Sequence, residues 1–484
     1  MTEPLARGQQ DRAEGPYPAL HHVGRGVARE LDIRLDDLAM LRPVLRLPDW
    51  RSNLRVGELA YDSVALSSLA ISLLGDDRGE TGVLENPVSL DAARIQSSFG
   101  SEKVFRLNGE APSIWAPLSG FWRVADGWVR THGNYSHHAE RLARLLGLPA
   151  DAERSAVEQV MLGWSRFDLE ERAAASGALA IAVRDPSEWW EHPQYPVLRE
   201  SPVVQFSRVG AASPRPWRAH GMLPLSGVRV LDLTRVIAGP VATRDLAVAG
   251  AEVLRIDSPR LPEAGWQHLD TGHEKRSALL DLDDPADFAR FEALLADADV
   301  VVHGYRPNAL TRYGLDAEAL HRRFPGMVVA QLSAWGTHGP WGDRRGFDSL
   351  VQAATGIAVL ESRDRGATPG ALPVQALDHA TGHFLAASIA TALRAQHANG
   401  GSFDIRLSLA RIANELLAAG PADGTADTTD TQEPLITQVP LASVAGEPTS
   451  VVTCAPPVLG FPGAPSDYPS PLHGWGSDQP RWNK

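Results

Sequence analysis

Between residues 228 and 336 the chain alternates short apolar runs with longer stretches of helical spacing. VRVLDLT (228–234), AEVLRID (251–257), DVVVHGY (299–305) and MVVAQLSAWG (327–336) have the length and β-branched content of strands buried on both faces. Between them, IAGPVATRDLAVAG, DPADFARFEALLADA and ALTRYGLDAEALHRRFP carry the period of amphipathic helices, the first ending at Gly250. This alternation predicts βαβ units and an α/β fold: an open, Rossmann-like parallel sheet with helices on both faces. Ligands of such sheets gather at the carboxyl ends of the strands. Neither GxGxxG nor GxxxxGK[ST] follows any of these runs, so a dinucleotide site and a P-loop both lose their main support.

The preceding segments read differently. Residues 1–25 are polar and Pro/Gly-rich, which predicts a disordered N-terminus. Residues 26–100 are helical in pattern; VALSSLAISLLG ends at Gly75, read as a C-cap, and VSLDAARIQSSF is a second helix. Residues 101–215 predict a small α+β domain, with two short strands in APLSGFWRVADGWVRTHG around Ala125-Asp126-Gly127. SPRPWRAHGMLP is a linker by composition. Residues 222–425 form the Rossmann-like domain, and 426–484 a Pro/Gly-rich C-terminal segment.

Composition narrows the function. A formal net charge of -13 argues against a general nucleic-acid binder. The single cysteine, Cys454, excludes an intrachain disulfide and any Cys-cluster metal site. No signal-peptide core opens the chain, and VALSSLAISLL is too short and Ser-rich to span a bilayer. The expectation is a cytoplasmic protein without membrane partners.

One acid stands out. In PVQALDHATGHFLAASIATALRAQ, Asp378 sits where a loop turns into an apolar helix. An Asp there is a helix cap, or a carboxylate nucleophile held at a positive helix end. His379 and His383 share a helix face, but no third ligand stands at metal-binding spacing, so no metal site is expected. The stretch is also similar to GELAYDSVALSSLAISLLGDDRGETGVLENPVSLDAARI, in which Asp62 takes the place of Asp378. Asp62 is followed by SVAL rather than a Gly-containing motif, and is read as a relic or a cap.

LPLSGVRVLDLTRVIAGPVATRDLAVAGAEVLRIDSP, EKRSALLDLDDP, VVVHGYRPNALTRYGLD, WGTHGPWGDRRGFDSLVQAATG and PVQALDHATG resemble, in order, successive segments of family III CoA-transferases (the CaiB/BaiF, formyl-CoA transferase group). The resemblance runs from about Leu223 to Asn414. The segment order looks permuted, because material such as PLSGFWRVADGWV precedes the βαβ region. The resemblance implies transfer of CoA between an acyl-CoA and a carboxylic acid through an aspartyl anhydride and an aspartyl-CoA thioester, with Asp378 as the active carboxylate. It implies a CoA thioester as substrate and no permanently bound cofactor. Val236, Ile237, Ala238, Lys275, Tyr305, Arg306 and Arg312 would line the CoA site, and backbone N–H groups near Thr381 and Gly382 would face the oxyanion. Gly382 would also admit substrate close to the backbone. The family includes acyl-CoA racemases, which carry a His-Asp pair where this chain has Phe347-Asp348; phenylalanine moves no proton, which favours transfer. A racemase and a catalytically inactive CoA-binding protein remain the alternatives. Members of that family interlock as homodimers, so the resemblance leaves two assemblies open: a homodimer, or a rearranged chain that completes that shape within itself.

Overall fold

The computed structural model describes residues 19–82, 85–149, 151–218, 221–306, 309–364, 366–422, 433–442 and 450–483. Seven strands build the main sheet: β1 (Gln205–Val209), β2 (Arg229–Leu233), β3 (Glu252–Asp257), β4 (Lys275–Leu279), β5 (Val300–His303), β6 (Val328–Ser333) and β7 (Ser402–Ser408). Their order is β1-β7-β6-β5-β2-β3-β4. β2 to β7 run parallel, and β1 closes one edge antiparallel to β7. From β2 the chain moves to β3 and β4 on one side, then crosses back to β5, β6 and β7 on the other. The order therefore reverses between β2 and β5, the place where open α/β sheets leave a crevice.

Six helices position that crevice: α1 (His22–Glu30), α2 (Val56–Asp77), α3 (Ser101–Val104), α4 (Ala238–Val248), α5 (Asp348–Thr355) and α6 (Ala376–Asn399). α2 and α6 are rich in Ala, Ser and Leu around their whole circumference, the pattern of helices buried on all sides. They pack against each other, and α4 packs on α6. α2 is long and apolar enough to cross a bilayer, but lies in the core beside α6 with nearly all of its residues buried.

The structure corrects several sequence expectations. α2 continues past Gly75 to Asp77; Gly75 is a packing position, where a Cβ would come 2.5 Å from Thr81 Cγ2. α1 begins at His22, inside the stretch expected to be disordered; residues 1–18 lie outside the described residues. ALTRYGLDAEALHRRFP is broken by Gly314, at φ +61°, into a short 3₁₀ turn (Thr311–Tyr313) and a helix (Ala317–Arg323) capped by Asp316. The Pro/Arg-rich stretch before residue 218 is pinned down: Arg215 donates to the Ala298 carbonyl, and Trp217 stacks on His397.

A second, antiparallel sheet of Gly120–Val124, Gly127–Thr131 and Ala180–Ala182 has its own apolar cluster, which includes Trp122, Leu142 and Met161. α5 packs against it. A third sheet joins Arg106–Leu107 to Val451–Cys454 and Thr437–Pro440, tying the C-terminal segment back to the chain just after α3.

Candidate active site

The start of α6 lies beneath a cavity of about 260 Å³. Val236 and Ile237, in the turn after β2, form part of its wall, so it opens at the crevice the strand order predicts. Trp115, Trp266, Phe347 and His132 supply aromatic surface, and three carboxyls, Asp378, Asp348 and Glu102, face it. Val236 holds φ +71°, a left-handed conformation unfavourable for a β-branched residue and costing about 1–3 kcal/mol. That strain sits on the cavity wall.

Asp378 is the third residue of α6 and only 6% exposed. Burial holds its carboxyl well above the ordinary carboxylate range, and the nearby Asp348 and Glu102 charges push it the same way. Asp348 opens α5. Burial raises it too, while hydrogen bonds oppose the rise: Gln352 Nε2 donates at 2.5 Å, and the Asp378 and Leu377 N–H groups donate to it. Of the pair, Asp348 has the donors, so it carries the charge more readily than Asp378. Glu102, on α3, is pushed up by burial to about 7.

These contacts redistribute the expected roles. The free N–H groups at the start of α6 are spent on the Asp348 carboxylate, and the His379 N–H already bonds the Gln375 carbonyl. Thr381 and Gly382 lie inside the helical ladder, a turn too late to offer a free N–H to an oxyanion. Gly382 serves packing rather than substrate approach: a Cβ there would come 2.5 Å from the Ala238 carbonyl and 2.8 Å from Val241 Cβ. It lets α4 cross close to α6, and Ala238 is buried in that crossing rather than on the cavity wall.

The expected CoA residues divide. Lys275, at the start of β4, is buried, with its ammonium donating to Thr243 Oγ1 at 2.6 Å and the Pro240 carbonyl at 2.7 Å, and pairing with Asp232 at 3.3 Å. All its donor positions are used in tying β4 and β2 to α4, so it has none for a phosphate; burial lowers its pKa to about 8. Tyr305 follows β5, half-buried against the apolar cluster on that face of the sheet, away from the cavity wall. Arg312 is exposed and pairs with Asp283 at 3.1 Å. Arg306 lines a second cavity, of about 240 Å³, with Arg344 and Arg345. Burial lowers the pKa of Arg345, and Arg306 and Arg141 press on it in the same direction, which makes this a cationic recess. Only Gly346 separates Arg345 from Phe347 in the Asp378 cavity.

His379 and His383 stack on Phe99, and His383 Nδ1 meets Asp245 at 2.7 Å. Among the described residues no group of three metal-ligating side chains converges. Asp62 accepts the His21 and Gly24 N–H groups and the His21 ring at 2.9 Å, so it caps α1 from within α2.

Glu102, His132 and Trp115 were not legible as site residues. They come from three separate stretches of the chain, and only folding brings them to Asp378. Arg345 had a signal: the RR before Phe347-Asp348 in WGDRRGFD.

Residues 225–455 match the family model of CoA-transferase family III. The acetyl-coenzyme A transferase nodX of Hypoxylon pulicicidum is 29% identical over 365 residues, covering 69% of this chain and 59% of the relative. The succinate–glutarate CoA-transferase of Agrobacterium fabrum is 30% identical over 213 residues, covering 40% and 53%. The crystal structure of a CaiB/BaiF family protein from Brucella suis aligns at 28% identity and a TM-score of 0.37, over 39% of this chain and 53% of that one. The chain spans about half the length of the curated relatives it matches.

Proposed function

We propose that the chain, whose residues 225–455 match the family III CoA-transferase model, moves CoA between an acyl-CoA and a carboxylic acid, with Asp378 as the nucleophile. The observation that carries the reading is the placement of Asp378: a buried carboxyl at a helix start, facing a cavity at the switch point of the sheet. Desolvation and positioning make a weak carboxylate nucleophile competent.

The Asp378 oxygen attacks the thioester carbonyl, the C–S bond breaks, and CoA leaves as thiolate. The resulting mixed anhydride is attacked at the aspartyl carbonyl by that thiolate. The donor acid departs as a carboxylate, leaving an aspartyl-CoA thioester. The acceptor carboxylate then runs the two steps in reverse. Asp378 must first lose its proton, and Glu102, held near neutrality on the same cavity, is placed to share it. In the cationic recess Arg344 is held by Glu171, and Arg306 and Arg345 suit the CoA phosphates, with the pantetheine arm passing Phe347 towards Asp378.

The racemase reading gains one observation. His132 stacks flat on Phe347, with ring centres 3.8 Å apart, and so puts an imidazole on the cavity wall beside the residue that lacks one. Burial, with Arg130 nearby, lowers it to about 3, far below the raised Asp378. The test is to incubate the protein with acyl-CoAs and isotope-labelled acids in deuterated water. Transfer predicts label appearing in acyl-CoA and no deuterium at the α-carbon. Deuterium incorporation without label exchange would reverse the assignment.

A further inference from the structure

Arg130 lies on the middle strand of the antiparallel sheet and is only 7% exposed. Two other arginines buried as deeply hold acids: Arg184 holds Glu170 at 2.6 Å, and Arg255 holds Asp257 at 2.7 Å, while Arg244 reaches only the Asp270 carbonyl and Ser98 Oγ. Among the described residues Arg130 forms no ion pair and no side-chain hydrogen bond, and its buried Nε has no partner. Its guanidinium lies over the Trp115 ring, 4.6 Å from the centre, with Phe121 at 5.1 Å. Aromatic faces compensate a desolvated cation only in part.

Its neighbours place it directly behind the cavity wall. Trp115 lines the cavity, and so does His132, two residues after Arg130 and just past the end of its strand. Asp348, also on the wall, is the charge that acts on Arg130. An acid entering as an anion would meet the Asp348 carboxylate, whose like charge opposes it unless a cation answers. Lys103, a cation of the cavity lining itself, is exposed and already donates to the Pro373 carbonyl. We propose that Arg130 is the anion anchor of this cavity, pairing with a carboxylate of the free acid that exchanges CoA. The planar guanidinium fork suits a carboxylate in two-point contact. The inference rests on the transfer reading, and adds that the antiparallel sheet, which precedes the family-matched residues, supplies the acid subsite.

Acid binding is measured by calorimetry without CoA, so that the result does not depend on turnover. Propionate, succinate and the neutral propionamide are the probes, on wild type, Arg130→Gln and Arg130→Lys; calorimetry of CoA itself serves as the folding control. Wild type is expected to bind at least one acid and not the amide. Arg130→Gln should weaken that binding about tenfold or more, the range of a lost charged hydrogen bond. Arg130→Lys should recover part of it, with CoA affinity unchanged in both variants. A loss for both acids assigns the anchored group as the reacting carboxylate, and a loss for succinate alone assigns the distal one; either supports the anchor. Equal acid affinity in wild type and Arg130→Gln, or no acid binding by wild type, overturns it. If Arg130→Gln changes nothing while Asp378→Asn abolishes CoA exchange, the anchor falls and the transfer reading stands. If the anchor holds but wild type exchanges no CoA, the transfer reading falls instead.

Discussion

Replacing Glu102 with Gln removes one acid from the cavity while keeping its shape. Burial is the largest cause lifting this carboxyl from 4.5 to about 7, and the Asp270 and Asp348 charges add to it. A carboxyl whose folded pKa lies above its unfolded value binds its proton more tightly in the native state. The stability it contributes is fully present below the unfolded pKa and is lost as pH rises through the folded one. The gap of roughly 2.5 pH units corresponds to about 3 kcal/mol, at about 1.36 kcal/mol per unit. Wild type should therefore lose about 3 kcal/mol more stability than Glu102→Gln between about pH 4 and about pH 8.5. Asp378 and Asp348 titrate in both proteins, so most of their contribution cancels in the comparison. Urea unfolding followed by tryptophan fluorescence at several pH values reads the difference. Near pH 4 the two midpoints should nearly coincide, and above pH 8 the variant should be the more stable. Parallel stability curves across the whole range would refute the claim that Glu102 is a desolvated acid.

Gly382→Ala should destabilise the fold by about 1–3 kcal/mol in thermal or urea unfolding, because the new methyl meets the Ala238 carbonyl and Val241 at the α4–α6 crossing. Lys275→Ala leaves the Asp232 carboxylate buried without its cation, and should cost about 3–5 kcal/mol of stability by urea unfolding. An unchanged midpoint there would restore Lys275 as a free ligand contact. Asp62→Ala uncaps α1, and should lower stability by about 0.5–2 kcal/mol while leaving the kinetics of CoA exchange untouched.

The alternation of β2, β3, β5 and β6 with helices was legible because strands buried on both faces read as continuous apolar runs. β1, β4 and β7 were not. QFSRV and KRSAL lie at the two edges, where polar residues interrupt the pattern, and SFDIRLS carries charge at alternate positions although it lies inside the sheet. Asp378, Val236 and Ile237 meet at one cavity because the sheet's topology brings the turn after β2 to the start of α6. The basic residues followed less well. A lysine near a strand can equally serve a buried network, and for Lys275 the network with Asp232 and Thr243 prevails. The likeness of the Asp62 and Asp378 stretches becomes a pair of packed core helices. One of their acids is saturated by backbone N–H groups, and the other faces a cavity.

Trapping at Asp378 tests the central claim most directly. The protein is incubated with a panel of acyl-CoAs in the presence of hydroxylamine, digested, and read by mass spectrometry. Asp378 activated as the anhydride or the CoA thioester should appear as a hydroxamate on that side chain, dependent on acyl-CoA and absent from Asp378→Asn. A peptide that stays unmodified while the same acyl-CoAs bind, or a hydroxamate on Asp348 or Glu102 instead, would contradict the assignment.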